Sequence, residues 1–303
     1  MYKRQVFLKG HGERSISGND NTGYSKLVTE LNNKGFSTEA HNLLLSGLPA
    51  DTAVLVLAAP DRELLEGEID HIKAYINDGG NLLWLMDPGD MQGTEELAKL
   101  LGIRFYPGIV VDNNNNLRNT LRIQHHAIIP VLDYVSHPVT ENIQYNTLFP
   151  FSQGIEQIDT QFTASVIARS LPQSWAETSA VSDEIAYEPD NGDTEGPIGI
   201  VMALERAITD DSKATQRIII SGDSDFITNS YIGVGANLAL GLNMFNWLAG
   251  DDDLIAVEPR NAPDIQFQLD DTEVLLIGLG YFIVLPAGLI LAGVAIWLRR
   301  RKR

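Results

Sequence analysis

The feature that most constrains this chain is its end, where the uncharged apolar run Val274–Leu298 passes directly into Arg299, Arg300, Arg301, Lys302 and Arg303. A helix rises about 1.5 Å per residue, so the run reaches about 37 Å, against a hydrocarbon core of about 30 Å. The sequence therefore predicts one C-terminal transmembrane helix. Lys and Arg are retained on the cytoplasmic side, which predicts a cytoplasmic tail at 299–303 and an extracytoplasmic location for everything before residue 270. Tyr281 and Trp297 fit interfacial positions. The expected location is the inner (cytoplasmic) membrane, with the bulk of the chain periplasmic or extracytoplasmic.

The charge balance must then be read in two parts. Of 22 Lys and Arg against 40 Asp and Glu, setting aside the five terminal cations leaves 17 basic residues to face the same 40 acidic ones over residues 1–298. So acidic a body disfavours nucleic acid and anionic lipid surfaces, both of which need cations to neutralise phosphate. Cysteine is absent, which rules out disulfides, thiolate nucleophiles and thiolate metal sites. Met1–Leu8 enters a strand-like run with no charged and apolar leader. An upstream span missing from this sequence is the expected explanation for how the body would cross a membrane.

Short apolar runs alternate with amphipathic segments through the first part of the chain. Val6–Leu8 reads as a strand, and Tyr24, Leu27, Val28 and Leu31 follow at helical spacing. Ala53–Ala58 reads as a fully buried strand. After it, Leu65, Ile69, Ile72 and Ile76 make the apolar face of a helix that Gly79 and Gly80 stop. Asn81–Met86 is the next strand, Glu95–Leu101 a short helix and Ile103–Val111 another strand. This repetition predicts an α/β fold, a doubly wound and mostly parallel sheet with helices on both faces.

The pattern breaks at Asp112, and residues 113–197 are expected to form a β-rich insertion, with the alternation Phe162, Ala164, Val166, Ala168 and an acidic loop over Ser182–Pro197. The parallel pattern is expected to resume over 198–258 with strands at Ile198–Leu204 and Arg217–Ile220. A helix apolar nearly all round, Asn237–Leu248, then packs on the sheet. Residues 1–112 and 198–258 thus form the two parts of the α/β domain, 259–273 a stalk and 274–298 the span.

Three groupings follow strand ends, where open parallel sheets place their binding crevice. Gly10-His11-Gly12-Glu13 offers two flexible glycines with His11 and Glu13 as ligand-orienting or proton-exchanging groups, or else simply a capped turn. Gly222-Asp223-Ser224-Asp225 offers paired carboxylates, with N-capping as the alternative use. Asp87-Pro88-Gly89-Asp90 reads as a turn that carries a further candidate, Asp87. His125 and His126 lack a third ligand at a metal spacing, and neither a phosphate loop nor a G-x-S-x-G elbow occurs. No cofactor, metal site or catalytic residue is expected.

Several blocks together resemble the GldG family. They are Lys9-Gly10-His11-Gly12-Glu13 with Tyr24 and Leu27, Ala58-Ala59-Pro60, Tyr75–Gly80 leading into Leu82–Pro88, His137-Pro138, Gly222–Phe226, Asn237, Leu242-Asn243 and Asn246–Gly250. The resemblance implies an auxiliary component of gliding-motility-type ABC transport systems, an extracytoplasmic domain held by membrane helices beside a separate ATPase and permease. It supplies no catalytic residues. Members commonly have a span before the domain, and this sequence departs from that. The expected function is a non-enzymatic, membrane-integral accessory subunit that binds a ligand or protein and couples to the permease and ATPase. Within the span, Gly288 and Ala292 offer a small-residue contact face and Pro286 a kink. The alternative is an extracytoplasmic hydrolase or glycan-binding protein using His11, Glu13, Asp223 and Asp225, which requires suitable carboxylate separation. A purely structural envelope protein would have no pocket at that edge.

Overall fold

A computed structural model describes residues 3–159, 161–181, 185–208 and 215–250, with isolated positions between 286 and 301. The chain divides into two compact units, Met1–Glu258 and Pro259–Arg303. In the first, the elements run β1 (Arg4–Leu8), α1 (Ser25–Asn33), β2 (Ser37–His41), β3 (Thr52–Ala58), α2 (Glu66–Asn77), β4 (Leu82–Leu85), α3 (Glu95–Leu101), β5 (Ile103–Phe105) and β6 (Ile109–Val111). They continue with α4 (Asn115–Leu121), β7 (Ile128–Val131), β8 (Thr147–Pro150), β9 (Ile155–Gln157), β10 (Thr163–Arg169), β11 (Trp175–Glu177) and β12 (Thr194–Glu195). β13 (Gly199–Ala207), β14 (Thr215–Ser221) and α5 (Asn237–Leu248) complete the unit.

The main sheet has the order β10-β13-β14-β4-β3-β1-β2. From β14 to β2 every neighbouring pair is parallel. The composition of β3 explains why such strands lie at the centre. Val54, Val56 and Ala58 enter one apolar cluster and Leu55 and Leu57 the other, so from Val54 onward both faces are covered and every position is apolar. β4 divides in the same way, with Leu83 and Leu85 on one side and Leu82 and Trp84 on the other. Leu27 and Leu31 of α1 and Leu240, Met244, Phe245 and Trp247 of α5 cover the first face. Ile69, Ile72 and Ile76 of α2 and Leu97 and Leu101 of α3 cover the second. The sheet is doubly wound, as its sequence pattern indicates.

Several local expectations need correction. The sheet is mostly parallel, as expected, but the parallel pattern does not resume at Ile198–Leu204: β13 is antiparallel to β14 and β10 is antiparallel to β13. An apolar run records burial on two faces and carries no record of direction. Ile103–Val111 is two strands, not one: Tyr106-Pro107-Gly108 breaks it, and β5 pairs with β9 while β6 pairs with β11. Gly108 has φ +84° and approaches so closely that a Cβ there would lie 2.1 Å from the Glu177 carbonyl oxygen. Edge strand β2 and helix α4 have weak apolar periodicity, which leaves them without a clear signal in the sequence. Within 182–197, the described residues include β12 and a buried Asp193 that accepts from the Thr178 and Glu188 amides at 3.0 and 2.9 Å.

The second unit is described only at scattered positions, where Arg301 lies over the Trp297 ring at 5.2 Å. The expected stalk and most of the expected span, including Gly288 and Ala292, lie outside the described residues. Among the described residues no helix is long and apolar enough to cross a membrane.

Candidate functional site

Chain direction defines the edge at which chemistry is to be sought. α1, following β1, packs on one face of the sheet, and α2, following β3, packs on the other. The crevice of such a sheet opens where the connections diverge, between the carboxyl ends of these two strands.

Here the crevice is stitched shut by the polypeptide itself. The Asp61 and Arg62 amides donate to the His11 carbonyl at 2.8 and 3.0 Å, and the Arg14 amide donates to the Ala58 carbonyl at 3.0 Å. Gly12, at φ +83°, leaves no room for a side chain, since a Cβ there would stand 2.8 Å from that of Asp61. His11 is 8 % exposed. Its Nε2 lies 2.7 Å from Glu68 Oε2, without hydrogen-bond alignment. Glu68 also caps α2 by accepting from the Leu65 amide at 3.1 Å. Glu13 closes the turn, its Oε2 accepting from the His11 amide at 2.8 Å. His11 and Glu13 thus belong to a group built around the start of α2.

The three aspartates belong to another group, organised by a residue that the sequence pattern did not single out. Arg14 Nη2 lies 2.7 Å from Asp87 Oδ2 and 2.8 Å from Asp225 Oδ1, while its Nε donates to Ser224 Oγ at 3.0 Å. Ser224 completes the clasp. Its amide donates to Asp87 Oδ1 and its hydroxyl to Asp87 Oδ2, both at 2.8 Å. Asp223 Oδ1 accepts from the Asp225 amide at 2.7 Å, an Asx turn, and the buried Tyr24 hydroxyl donates to the Ser224 carbonyl at 2.8 Å. Asn229 fastens the far end of the β1 loop, its Nδ2 donating to the Gly18 and Asp20 carbonyls at 2.9 and 2.8 Å. Loops after β1, β4 and β14 are therefore held by one guanidinium and one serine.

A fourth segment closes over this clasp. The Gln153 amide donates to the Gly222 carbonyl at 2.8 Å and its Nε2 donates to the Asp87 carbonyl at 3.1 Å. A Cβ on Gly222 would fall 1.9 Å from the Gln153 carbonyl oxygen, so glycine is required by close approach.

Burial and charge act differently on each group. Burial works against the Arg14 charge, but Asp87 and Asp225 outweigh it and hold the guanidinium protonated. Burial also pushes the Asp225 carboxyl up, with Arg14 opposing and Asp87 reinforcing. Asp223 is fully buried, and burial together with the Asp87 and Asp225 charges drives its carboxyl well above the usual range. Burial likewise raises the Tyr24 phenol well above its ordinary value. Among the described residues, no group of three or more His, Asp or Glu side chains is arranged to hold a metal ion.

Two clefts flank the clasp. One of about 360 Å³ is lined by Lys9, Gly12, Glu13 and Arg14, and one of about 200 Å³ by Ala59, Asp61, Asp87 and Asp90. A more apolar cleft of about 530 Å³ lies between α3 and β5 and includes none of the candidate residues. We place the candidate site at the strand ends, where polar groups from several loops converge.

A doubly wound α/β domain with a polar clasp at its strand ends is a scaffold shared by many functions, so class follows from sequence family. Residues 3–256 match the family described as ABC-type uncharacterized transport system, and the chain belongs to it. It is accordingly an auxiliary component of an ABC-type transport system. No curated protein matches it. Among solved structures, the mmIFT52 N-terminal domain is similar in fold, with a TM-score of 0.59 at 14% identity over 80% of this chain and 96% of that one. A ThuA-like protein from Parabacteroides merdae gives a TM-score of 0.46 at 11% identity over 83% of this chain and 91% of that one.

Proposed function

We propose that this chain is a non-enzymatic accessory subunit of a GldG-type ABC transport system, anchored through residues 274–298 with its α/β unit outside the membrane. The family match over residues 3–256 carries this reading. The apolar C-terminal run ending in five cations supports the anchor and its orientation. In this role the strand-end edge meets a ligand or protein partner, with Glu13, Asp87 and Asp225 at its accessible rim and His11 and Asp223 supporting them from within. Gly288 and Ala292 contact the permease, and a separate ATPase supplies the energy.

Acid-base hydrolysis has weaker support from the same residues. Glycoside cleavage needs two carboxyl groups facing a shared substrate space. Asp223 is fully buried, Asp87 and Asp225 are both tied to Arg14, and His11 is turned toward Glu68. Co-purification of the intact chain in mild detergent tests the accessory role. An ABC permease or ATPase encoded beside it is expected in the eluate, and reproducible absence of both would overturn the proposal. A reporter fused ahead of residue 258 and read in intact cells tests the orientation, and a cytosolic signal would contradict it.

A further inference from the structure

Asp223 combines complete burial with incomplete hydrogen bonding. Its Oδ1 takes one backbone hydrogen bond, and its Oδ2 has no partner. An ionised oxygen left unpaired in the interior is far more costly than a neutral one. The surroundings increase that disparity. Facing Asp223 are Arg14 from the β1 loop, Tyr24 ahead of α1, Asp87 from the β4 loop, and Asp225 and Tyr231 from the segment after β14. Tyr24 and Tyr231 add no positive charge. The only cation in this set, Arg14, is already engaged at 2.7 and 2.8 Å by Asp87 and Asp225. A third carboxylate would face two others with no guanidinium group left to pair with it.

We infer that the Gly222–Asp225 turn is a proton-dependent latch, seated while Asp223 Oδ2 carries a proton and driven out of its seat when that proton passes to solvent. The upward push on this carboxyl from burial and from its two acidic neighbours acts in the same direction. Unseating separates Ser224 from Asp87 and Arg14, Asp225 from Arg14 and Tyr24 from the Ser224 carbonyl, while the Gln153 amide keeps the Gly222 end of the turn in place. The Asn229 bonds to Gly18 and Asp20 lie beyond the turn and form the hinge. Opening frees Arg14 and Asp87 toward the clefts that they line. The latch thus sets how much of the strand-end edge is available, whatever binds there.

Hydrogen exchange of the full chain, corrected for the intrinsic pH dependence of exchange and read from about pH 5 to about pH 9, tests the latch. Protection of segments 10–17 and 222–226 is expected to fall about tenfold with rising pH relative to β3, whereas Asp223→Asn, isosteric and unable to titrate, keeps its protection throughout. Wild-type protection that does not change with pH, or an unchanged transition in Asp223→Asn, would overturn the inference. If Asp223→Asn does not fold, Asp225→Asn serves instead: it removes one neighbouring negative charge, and the transition moves to lower pH. An unmoved transition would be equally decisive against the latch. Infrared spectra of the wild-type protein should show a buried carboxylic-acid band that disappears over the same pH interval.

Discussion

Replacing Arg14 with leucine tests whether the clasp holds the strand-end loops energetically as well as geometrically. The substitution removes contacts to Asp87 and Asp225 at 2.7 and 2.8 Å and to Ser224 at 3.0 Å. Hydrogen bonds to charged groups contribute about 1.5–3 kcal/mol each, and breaking a buried ion pair costs about 3–5 kcal/mol because a charge is left unpaired. The Arg14, Asp87 and Asp225 side chains retain 21, 29 and 27 % exposure, so water recovers part of this. We expect a loss of about 2–4 kcal/mol at neutral pH, which for a unit of this size lowers Tm by about 5–15 °C. Urea unfolding followed through the buried Trp84 and Trp247 measures it. A double-mutant cycle with Asp87→Asn isolates the contact and should give a coupling of about 1–2 kcal/mol. A loss under about 1 kcal/mol, or single changes that add within about 0.5 kcal/mol, would show that the loops are held by something else.

Three further outcomes can be checked directly. Gly222→Ala sets a Cβ 1.9 Å from the Gln153 carbonyl oxygen and should cost about 2–4 kcal/mol by chemical denaturation, while Gly233→Ala, with open space around it, stays within about 0.5 kcal/mol. Tyr24→Phe deprives the Ser224 carbonyl of its 2.8 Å donor at a fully buried position and should lower stability by about 1–2 kcal/mol in the same assay. His137 is pushed down to about 4 by burial and then by Arg217; Glu205, 3.9 Å away and 40 % exposed, is too distant and too wet to reverse this. Its folded value lies below its unfolded one, so its contribution to stability is complete above about pH 6.5 and is lost as pH falls toward 4. An NMR titration in which His137 protonates near its ordinary value would disprove that assignment.

What the sequence disclosed and what it concealed have separate physical origins. The runs in β3, β4 and β14 and the nearly all-apolar α5 are legible because each is enclosed by other elements, and enclosure leaves a continuous record in residue type. Pairing direction leaves no such record, which is why β13 read like its parallel neighbours. Places after strand ends mark the aspartates, but not their organiser. Arg14 is the sole Lys or Arg between Lys9 and Lys26, and a lone cation in the loop following the first strand was the available signal. The separation of His11 and Glu13 from the aspartates depends on Glu68, more than fifty residues along the chain and buried at the start of α2. Linear spacing cannot report that kind of contact.

Gln153 follows β8 within three residues and is bonded at once to the turn after β14 and the loop after β4. With Gly222 pressed against its carbonyl, the end of the β7–β8 hairpin stands in direct contact with the start of the charged turn. The hairpin is in effect a lever whose short arm ends on Asp87 and Gly222. Two bonds from one side chain and its amide thus tie the end of the hairpin to both the Asp87 loop and the start of the charged turn, so a shift of the hairpin end is felt at both.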